Sequence, residues 1–382
     1  MKRITVLGAT GSIGCSTADV MLRYPDKFSA FALVGHRNVA KMTELAAELH
    51  PEWVVMTDHV AAGKLAGKLP AGVRLESGMD AAIVLSSAPE TDMVMAAMVG
   101  SAGLPATLAA VQAGKRVGLA NKECLVTAGH IFMDAAARSG AEVVPVDSEH
   151  AAVHQCIQGH DRGSVSRVVL TASGGPFRER DPSTLSAITP AEAVAHPNWD
   201  MGAKISIDSA TMINKALELI EARWLFDLEP DKLSAIIHPE SIVHAMVEYQ
   251  DGSALAQLAM PDMRMPIAYA LQAEPRLQAG IPLLELAQTG SLTFQAVDHA
   301  RFPSMRLVQH VLRGEDSLAI AFNAANEVAN AAFREQRIGF MDIVKTVERV
   351  LSKVDNVPVG SLDDVWLHDG HARRLAEEVT TA

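Results

Sequence analysis

Ile4-Thr5-Val6-Leu7 runs directly into Gly8-Ala9-Thr10-Gly11-Ser12-Ile13-Gly14, and an apolar pattern of helical period then continues through Met21 and Leu22. A β-branched strand, a turn with a glycine at every third position and a helix form the opening of a dinucleotide-binding βαβ unit. The glycines let backbone approach a pyrophosphate, and the helix N-terminus offers oriented N–H groups. The spacing is GxxGxxG rather than GxGxxG, so a glycine-rich turn without a ligand is the competing reading. Its place directly after the first apolar strand favours the nucleotide.

The next strand, about Phe28–Val34, should end beside the adenosine ribose. An NAD site would place a carboxylate there, but the residues are Gly35-His36-Arg37-Asn38. Arg37 with His36 suits a 2′-phosphate and hence NADP; the alternative is a plain surface arginine. Apolar runs that read as strands recur at Trp53–Met56, Ala82–Leu85, Arg116–Leu119 and Glu142–Val146, with helical patterns between them. That rhythm predicts a mainly parallel sheet whose ligands lie off the carboxyl ends of the strands. Ser86-Ser87, Asn121-Lys122-Glu123 and Asp147-Ser148-Glu149-His150 are expected at those ends. In an extended segment Asp147 and Glu149 point the same way, a costly arrangement unless a cation lies between them. A hard divalent ion would serve and would want a further carboxylate; alternatively one of the pair caps the next helix. His150 reads as a packed or capping histidine.

Val168–Leu170 is a further buried-type strand, entering Thr171-Ala172-Ser173-Gly174-Gly175-Pro176, either an anion-binding nest or an ordinary turn. Residues 181–201 are irregular, and His196-Pro197-Asn198-Trp199 could form a lid or a surface loop anchored by Trp199. Lys204–Phe226 reads as a short strand feeding a helix with Asp208 and Ser209 at its N-cap. Asn214, Lys215, Glu218 and Glu221 form a polar wedge opposite an apolar face, which by itself reads as a solvated helix surface. Asp251-Gly252 between Ser241–Tyr249 and Ser253–Ala259 predicts a β-hairpin. Residues 273–298 form a Pro-interrupted connector, and helical periods dominate beyond Ser304, including Ser317–Phe333, Met341–Ser352 and a tail to Thr380.

With 33 Lys+Arg against 45 Asp+Glu, the net charge of -12 gives no general attraction to nucleic acid or anionic lipid. Any anionic ligand therefore needs a local basic pocket. Cys15, Cys124 and Cys156 are too scattered for a disulfide framework or zinc site, which implies a reducing compartment. Met1 leads straight into the first strand and no apolar run reaches membrane-spanning length, so a soluble cytoplasmic protein is expected.

The motifs GATGSIG, LANKE, PVDSEH, TASGGPF, HPNWDMG, SIDSATMINKALELIEARWLF, YQDGS and PDMR, in this order, resemble the 1-deoxy-D-xylulose 5-phosphate reductoisomerase family over essentially the whole chain. The resemblance implies NADPH-dependent rearrangement and reduction of deoxyxylulose phosphate to methylerythritol phosphate in non-mevalonate isoprenoid biosynthesis, and a homodimer. By it, Asp147, Glu149 and Glu218 match ligands of a divalent metal, Mg²⁺ or Mn²⁺ with Co²⁺ as an alternative. Ser173, Ser209, Asn214 and Lys215 match the substrate phosphate pocket. Lys122 and Ser148 match contacts to the sugar backbone, and His196 with Trp199 a mobile loop closing over it. Lys122, Asp147, Glu149, His196 and Glu218 form the implied catalytic set. For NADPH the matching positions are Gly8, Thr10, Gly11, Ser12, Ile13, Gly35, Arg37, Asn38, Asn121, Glu123 and Gly202. The implied organisation is a Rossmann-like doubly wound NADPH domain over 1–147, a central α+β catalytic domain over 148–272, a connector over 273–298 and a C-terminal helical bundle over 299–382.

Cys124, Ala172, Ala216 and His36 depart from the family's commonest residues, and none removes a charge or a metal ligand. Among rivals, a short-chain dehydrogenase would need Tyr-x-x-x-Lys, whereas Tyr24, Tyr249 and Tyr269 are followed four residues on by Phe28, Ser253 and Ala273. An NADP-dependent semialdehyde dehydrogenase would need a nucleophilic cysteine, for which Cys124 is the candidate. A non-catalytic NADP-binding sensor would tolerate loss of the carboxylates.

Overall fold

The computed structural model describes residues 1–195 and 202–381. The strands are β1 Lys2–Leu7, β2 Phe28–Gly35, β3 Trp53–Met56, β4 Arg74–Ser77, β5 Met93–Ala96, β6 Arg116–Leu119, β7 Val143–Pro145, β8 Val165–Ala172, β9 Leu233–Ile237, β10 Val243–Tyr249 and β11 Ala254–Leu258. Seven helices fall in the first part of the chain: α1 Ser12–Leu22, α2 Val39–Leu49, α3 His59–Leu65, α4 Met79–Ser87, α5 Leu104–Gln112, α6 Glu123–Ser139 and α7 Ser148–Ile157. They are followed by α8 Pro190–Ala193, α9 Ala203–Ala210, α10 Ile213–Phe226, α11 Arg264–Leu271, α12 Leu286–Thr289, α13 Ser304–Leu312, α14 Asp316–Arg334, α15 Phe340–Leu351 and α16 Leu362–Thr381.

The first of two compact units takes in Met1–Cys124, Phe132–Ala151 and Asp262–Pro282. Its sheet runs β4-β3-β2-β1-β5-β6-β7, parallel throughout. Strand order reverses at β1, whose neighbours are β2 and β5, so the carboxyl end of β1 is the topological switch point where such sheets bind ligands. β1 and β2 are apolar on both faces because helices cover the sheet on both sides. Ile4, Val6, Leu33, Val54, Met95 and Val144 lie in one core with Ile267 and Leu271 of α11, a helix far away in sequence. Arg116 fixes that helix by donating from Nε to the Ala270 carbonyl at 2.9 Å.

The second unit takes in Leu125–Ile131, Ala152–Pro261 and Leu283–Ala382. Its mixed sheet runs β11-β10-β8-β9, with β10 antiparallel to both neighbours and β8 parallel to β9. The predicted hairpin around Asp251-Gly252 is β10–β11. Helices α13 to α16 form the helical C-terminal part. In α15, Phe340, Ile343, Val344, Val347, Val350 and Leu351 are buried at helical spacing while the opposite face carries charge. At about 1.5–3 kcal/mol per large buried side chain, that stripe outweighs the helix's own propensity in holding it in place.

Three local expectations are corrected. Ala82–Leu85 is not a strand but part of α4; Ala82, Leu85 and Ser86 face inward at helical spacing and Val84 is exposed. A short apolar run carries no period of its own, and here Gly78 and Pro89 bracket a helix while the strand is Met93–Ala96. Ser86-Ser87 therefore lies inside a helix, each hydroxyl donating to a carbonyl one turn back, and not at a sheet end. Lys204–Asp208 is helix α9 and not a strand. A left-handed Met212, φ 60°, breaks the chain there, so Met212 rather than Asp208 or Ser209 precedes α10. Glu149 lies in the first turn of α7 and not in an extended segment, so strand alternation does not align it with Asp147.

Candidate active site

At the nucleotide end of the first unit, Gly8 has φ +79°, and a Cβ there would lie 2.3 Å from the Ala97 carbonyl oxygen. Only glycine permits that turn. Gly11 and Ser12 are exposed at the start of α1, whose first turn holds no acidic side chain, so its free N–H groups suit a pyrophosphate. Thr10 and Ile13 flank them, half-buried. Buried Gly35 ends β2, followed by exposed His36, Arg37 and Asn38. Asn38 also accepts from the Lys41 amide as the N-cap of α2. Asn121 is buried at the end of β6, donating to the carbonyls of Met98 and Gly100, and its Oδ1 has no partner among the described residues. Glu123, also buried, begins α6.

Beside this lies the acidic strand end. Lys122, after β6, approaches Asp147, after β7, with Nζ 2.6 Å from Oδ2. Burial alone would push the Asp147 carboxyl up. The Lys122 ammonium and, next, His150 outweigh it and hold Asp147 well below the usual carboxylate range. Ser148 donates to Glu149 Oε2 at 2.6 Å. The expected strand-end residues Lys122, Asp147, Ser148 and Glu149 thus fall together, with His150 fully buried below them. Ionised carboxylate oxygens are the hard donors that Mg²⁺ or Mn²⁺ takes.

In the second unit, β8 delivers Ser173-Gly174-Gly175. Both glycines have positive φ, and Ser173 Oγ accepts from the Gly175 amide at 3.1 Å. A Cβ on Gly175 would come within 3.0 Å of the Ser209 carbonyl oxygen and closer still to Ala210, so the turn presses against the C-terminal end of α9. Ser173 and Ser209, separate motifs in the sequence, become neighbours by that contact. On α10 the polar wedge is not solvated: Lys215 is 3% exposed, Glu218 1% and Glu221 0%. Asn214 and Lys215 donate to the two oxygens of Glu218. A buried carboxylate without such partners would cost several kcal/mol. Glu218 offers the same hard oxygen chemistry as Asp147 and Glu149. Gly202 precedes α9. His196 and Trp199 lie outside the described residues.

One supporting network escaped the sequence reading. Asp208, buried in α9, accepts at Oδ1 from Asn326 Nδ2 at 3.0 Å and Asn330 Nδ2 at 2.9 Å, while Lys204 Nζ lies 3.1 Å from Oδ2. The available signal was a run of asparagines, Asn323, Asn326 and Asn330, on the face of an otherwise apolar helix. Cys124 is fully buried at the start of α6.

A Rossmann-type parallel sheet with an acidic strand end, in a chain that also carries a mixed sheet with a serine-glycine turn, is the architecture of a dinucleotide-fold enzyme. Family models for 1-deoxy-D-xylulose 5-phosphate reductoisomerase match residues 4–129, for its C-terminal domain residues 143–226, and for a further C-terminal domain of the same family residues 258–375. The reductoisomerase of Ralstonia pickettii is 52% identical over 384 residues, covering 99% of this chain and 97% of that one. That of Pseudomonas aeruginosa is 50% identical over 388 residues, covering 100% and 98%. A solved structure of the Zymomonas mobilis reductoisomerase in complex with NADPH is 42% identical, with a TM-score of 0.93 over 100% of this chain and 99% of that one. Another reductoisomerase, in complex with NADPH, fosmidomycin and magnesium, is 40% identical with a TM-score of 0.93, covering 100% and 98%. The chain belongs to the 1-deoxy-D-xylulose 5-phosphate reductoisomerase family.

Proposed function

We propose that this chain converts 1-deoxy-D-xylulose 5-phosphate to 2-C-methyl-D-erythritol 4-phosphate, using NADPH and Mg²⁺ or Mn²⁺, within isoprenoid biosynthesis. The observation that carries the reading is identity of about half the residues to reductoisomerases over the full length of both chains. Family membership removes the semialdehyde dehydrogenase alternative, and the buried Cys124 gives it no accessible nucleophile. Asp147, Glu149 and Glu218 would hold the metal. When bound, the metal supplies Lewis-acid polarisation of the ketose oxygens, and NADPH supplies the hydride.

The chain's own residues do the rest. Ser173, Ser209, Asn214 and Lys215 grip the substrate phosphate, and that remote binding energy orients the reacting carbons. Lys122 and Ser148 donate to the sugar oxygens. Lys122 also keeps Asp147 ionised, so the acidic site is ready for a cation at neutral pH. His196 and Trp199 complete the set of substrate-binding residues. Gly8, Thr10 to Ile13, Gly35, Asn38, Asn121, Glu123 and Gly202 line the cofactor, with Arg37 on its 2′-phosphate. Residues 1–147 supply most of the cofactor contacts together with Lys122 and Asp147, residues 148–272 supply the remaining substrate and metal contacts together with Gly202, and 273–298 link them to the helical support over 299–382.

The protein acts as a cytoplasmic homodimer. Support for self-association is the outer edge of β11, where Ala254, Leu255 and Ala256 are exposed on a strand that has no partner on one side among the described residues. No helix among the described residues is long and apolar enough to cross a membrane.

The test is Glu218→Gln. It should reduce metal-dependent turnover by at least about 100-fold, a loss of the size expected when one electrostatic group is removed from a reaction centre, while NADPH still binds. Undiminished turnover would end the assignment of Glu218 to the metal, and turnover without any divalent ion would end the metal-dependent reading altogether.

A further inference from the structure

The residues that follow β2 and β3 form two rungs of side-chain contact across adjacent strand ends. The strands are in register at Gly35 and Met56, and the Thr57 amide donates to the Gly35 carbonyl at 2.8 Å. Beyond that bond, His36 Nδ1 lies 2.9 Å from Thr57 Oγ1, and Arg37 donates from Nε to Asp58 Oδ2 at 2.7 Å. Asp58 is fixed from its other side as well, because its Oδ1 accepts from the Ala61 amide at 2.9 Å as the N-cap of α3. The two residues differ sharply in exposure: the Arg37 side chain is 74% exposed and Asp58 only 17%. Asp58 is thus a rigid post and Arg37 a long side chain leaning on it.

The position matters because the carboxyl end of β2 is where a dinucleotide fold places the adenosine ribose. An exposed arginine is spread over many rotamers, and ordering it on binding costs free energy. The bond to Asp58 uses only Nε. The terminal Nη1 and Nη2 groups, which form no hydrogen bond among the described residues, remain as a planar fork suited to a phosphate.

We propose that Asp58 is a positioning residue for cofactor selectivity: it holds the Arg37 guanidinium by Nε so that the Nη edge is presented to the 2′-phosphate of NADPH. This rests on the reading that Arg37 meets that phosphate. Asp58 touches neither cofactor nor substrate; it acts through Arg37 alone.

The experiment measures the dissociation constants of NADPH and NADH by calorimetry on the full-length protein. The forms compared are wild type, Asp58→Asn, Asp58→Ser, Arg37→Gln and the double variant Arg37→Gln with Asp58→Asn. Asparagine and serine both serve as N-caps, so α3 keeps its start, which a thermal melt of each variant checks. An exposed ion pair makes only a modest contribution, so either Asp58 variant should weaken NADPH roughly three- to fivefold and leave NADH unchanged. In the Arg37→Gln background, Asp58→Asn should change neither constant. A role limited to folding would weaken both cofactors together and would persist in the double variant, and that result overturns the proposal. So does an unchanged or raised preference for NADPH in the Asp58 variants while Arg37→Gln lowers it. If Arg37→Gln itself leaves the preference intact, the 2′-phosphate reading falls and the role of Asp58 falls with it.

Discussion

Asp208 shows how a single buried residue holds one of this molecule's elements in place. Its carboxylate is buried, and it is stable there because Asn326, Asn330 and Lys204 supply donors to both oxygens. Replacing one donor by an apolar residue of similar size, Asn326→Leu, leaves a buried acceptor short of a partner, which costs about 1–3 kcal/mol. Denaturant unfolding should show that loss, and a cost within error of zero would mean the amide contributes nothing net. Gly8 is a second sensitive point. Gly8→Ala should lower the melting temperature and weaken NADPH, because the added Cβ meets the Ala97 carbonyl at 2.3 Å in a left-handed backbone. A melting curve and a cofactor titration matching wild type would contradict this.

At the scale of elements, the short helix α8 makes a pH prediction. Thr189 and Glu192 form a capping box, and Arg180 donates to Glu192 Oε1 at 2.8 Å. The Arg180 guanidinium first, and the Thr189 amide and hydroxyl next, lower the Glu192 pKa from 4.5 to about 2. Because the folded value is depressed, the cap's contribution is complete above about pH 4.5 and is lost as pH falls toward 2. Hydrogen exchange at residues 189–194, corrected for intrinsic rates, should hold steady down to pH 4.5 and then accelerate; protection unchanged to pH 2 would sink the claim.

Elements also divide into those legible from sequence and those not. β1 with its glycine turn, β2, β6, the β10–β11 hairpin and α14 to α16 could be read because period and turn chemistry agree there. Ala82–Leu85 could not, since four apolar residues suit a strand or a helix equally until their surroundings decide. Lys204–Asp208 alternates like a strand, yet it folds as α9, where Lys204 and Asp208 pair at helical spacing and Asp208 meets α14. The α10 wedge reads as solvated because local periodicity carries no information about what covers a polar face. The strand-end group Lys122, Asp147 and Glu149 was legible in composition but not in geometry, since Glu149 belongs to a helix.

At the scale of the whole molecule, a long chain with net charge -12 needs local features to bind an anionic ligand; in the proposed function these are the glycine turn and Arg37 for the cofactor, and the serine-glycine turn and Lys215 for the substrate phosphate. Removing divalent metal with a chelator should therefore abolish turnover while leaving NADPH affinity nearly unchanged; loss of NADPH binding on chelation would tie the metal to the cofactor site instead. Sedimentation should give twice the 40.7 kDa chain mass, and a monomer at micromolar concentration would refute the dimer. The central claim is tested most directly by NADPH oxidation with 1-deoxy-D-xylulose 5-phosphate as the sole substrate, with and without Mg²⁺ or Mn²⁺. The expected result is metal-dependent oxidation with one methylerythritol phosphate formed per NADPH consumed; no oxidation in the presence of metal, or oxidation without that product, would contradict the account.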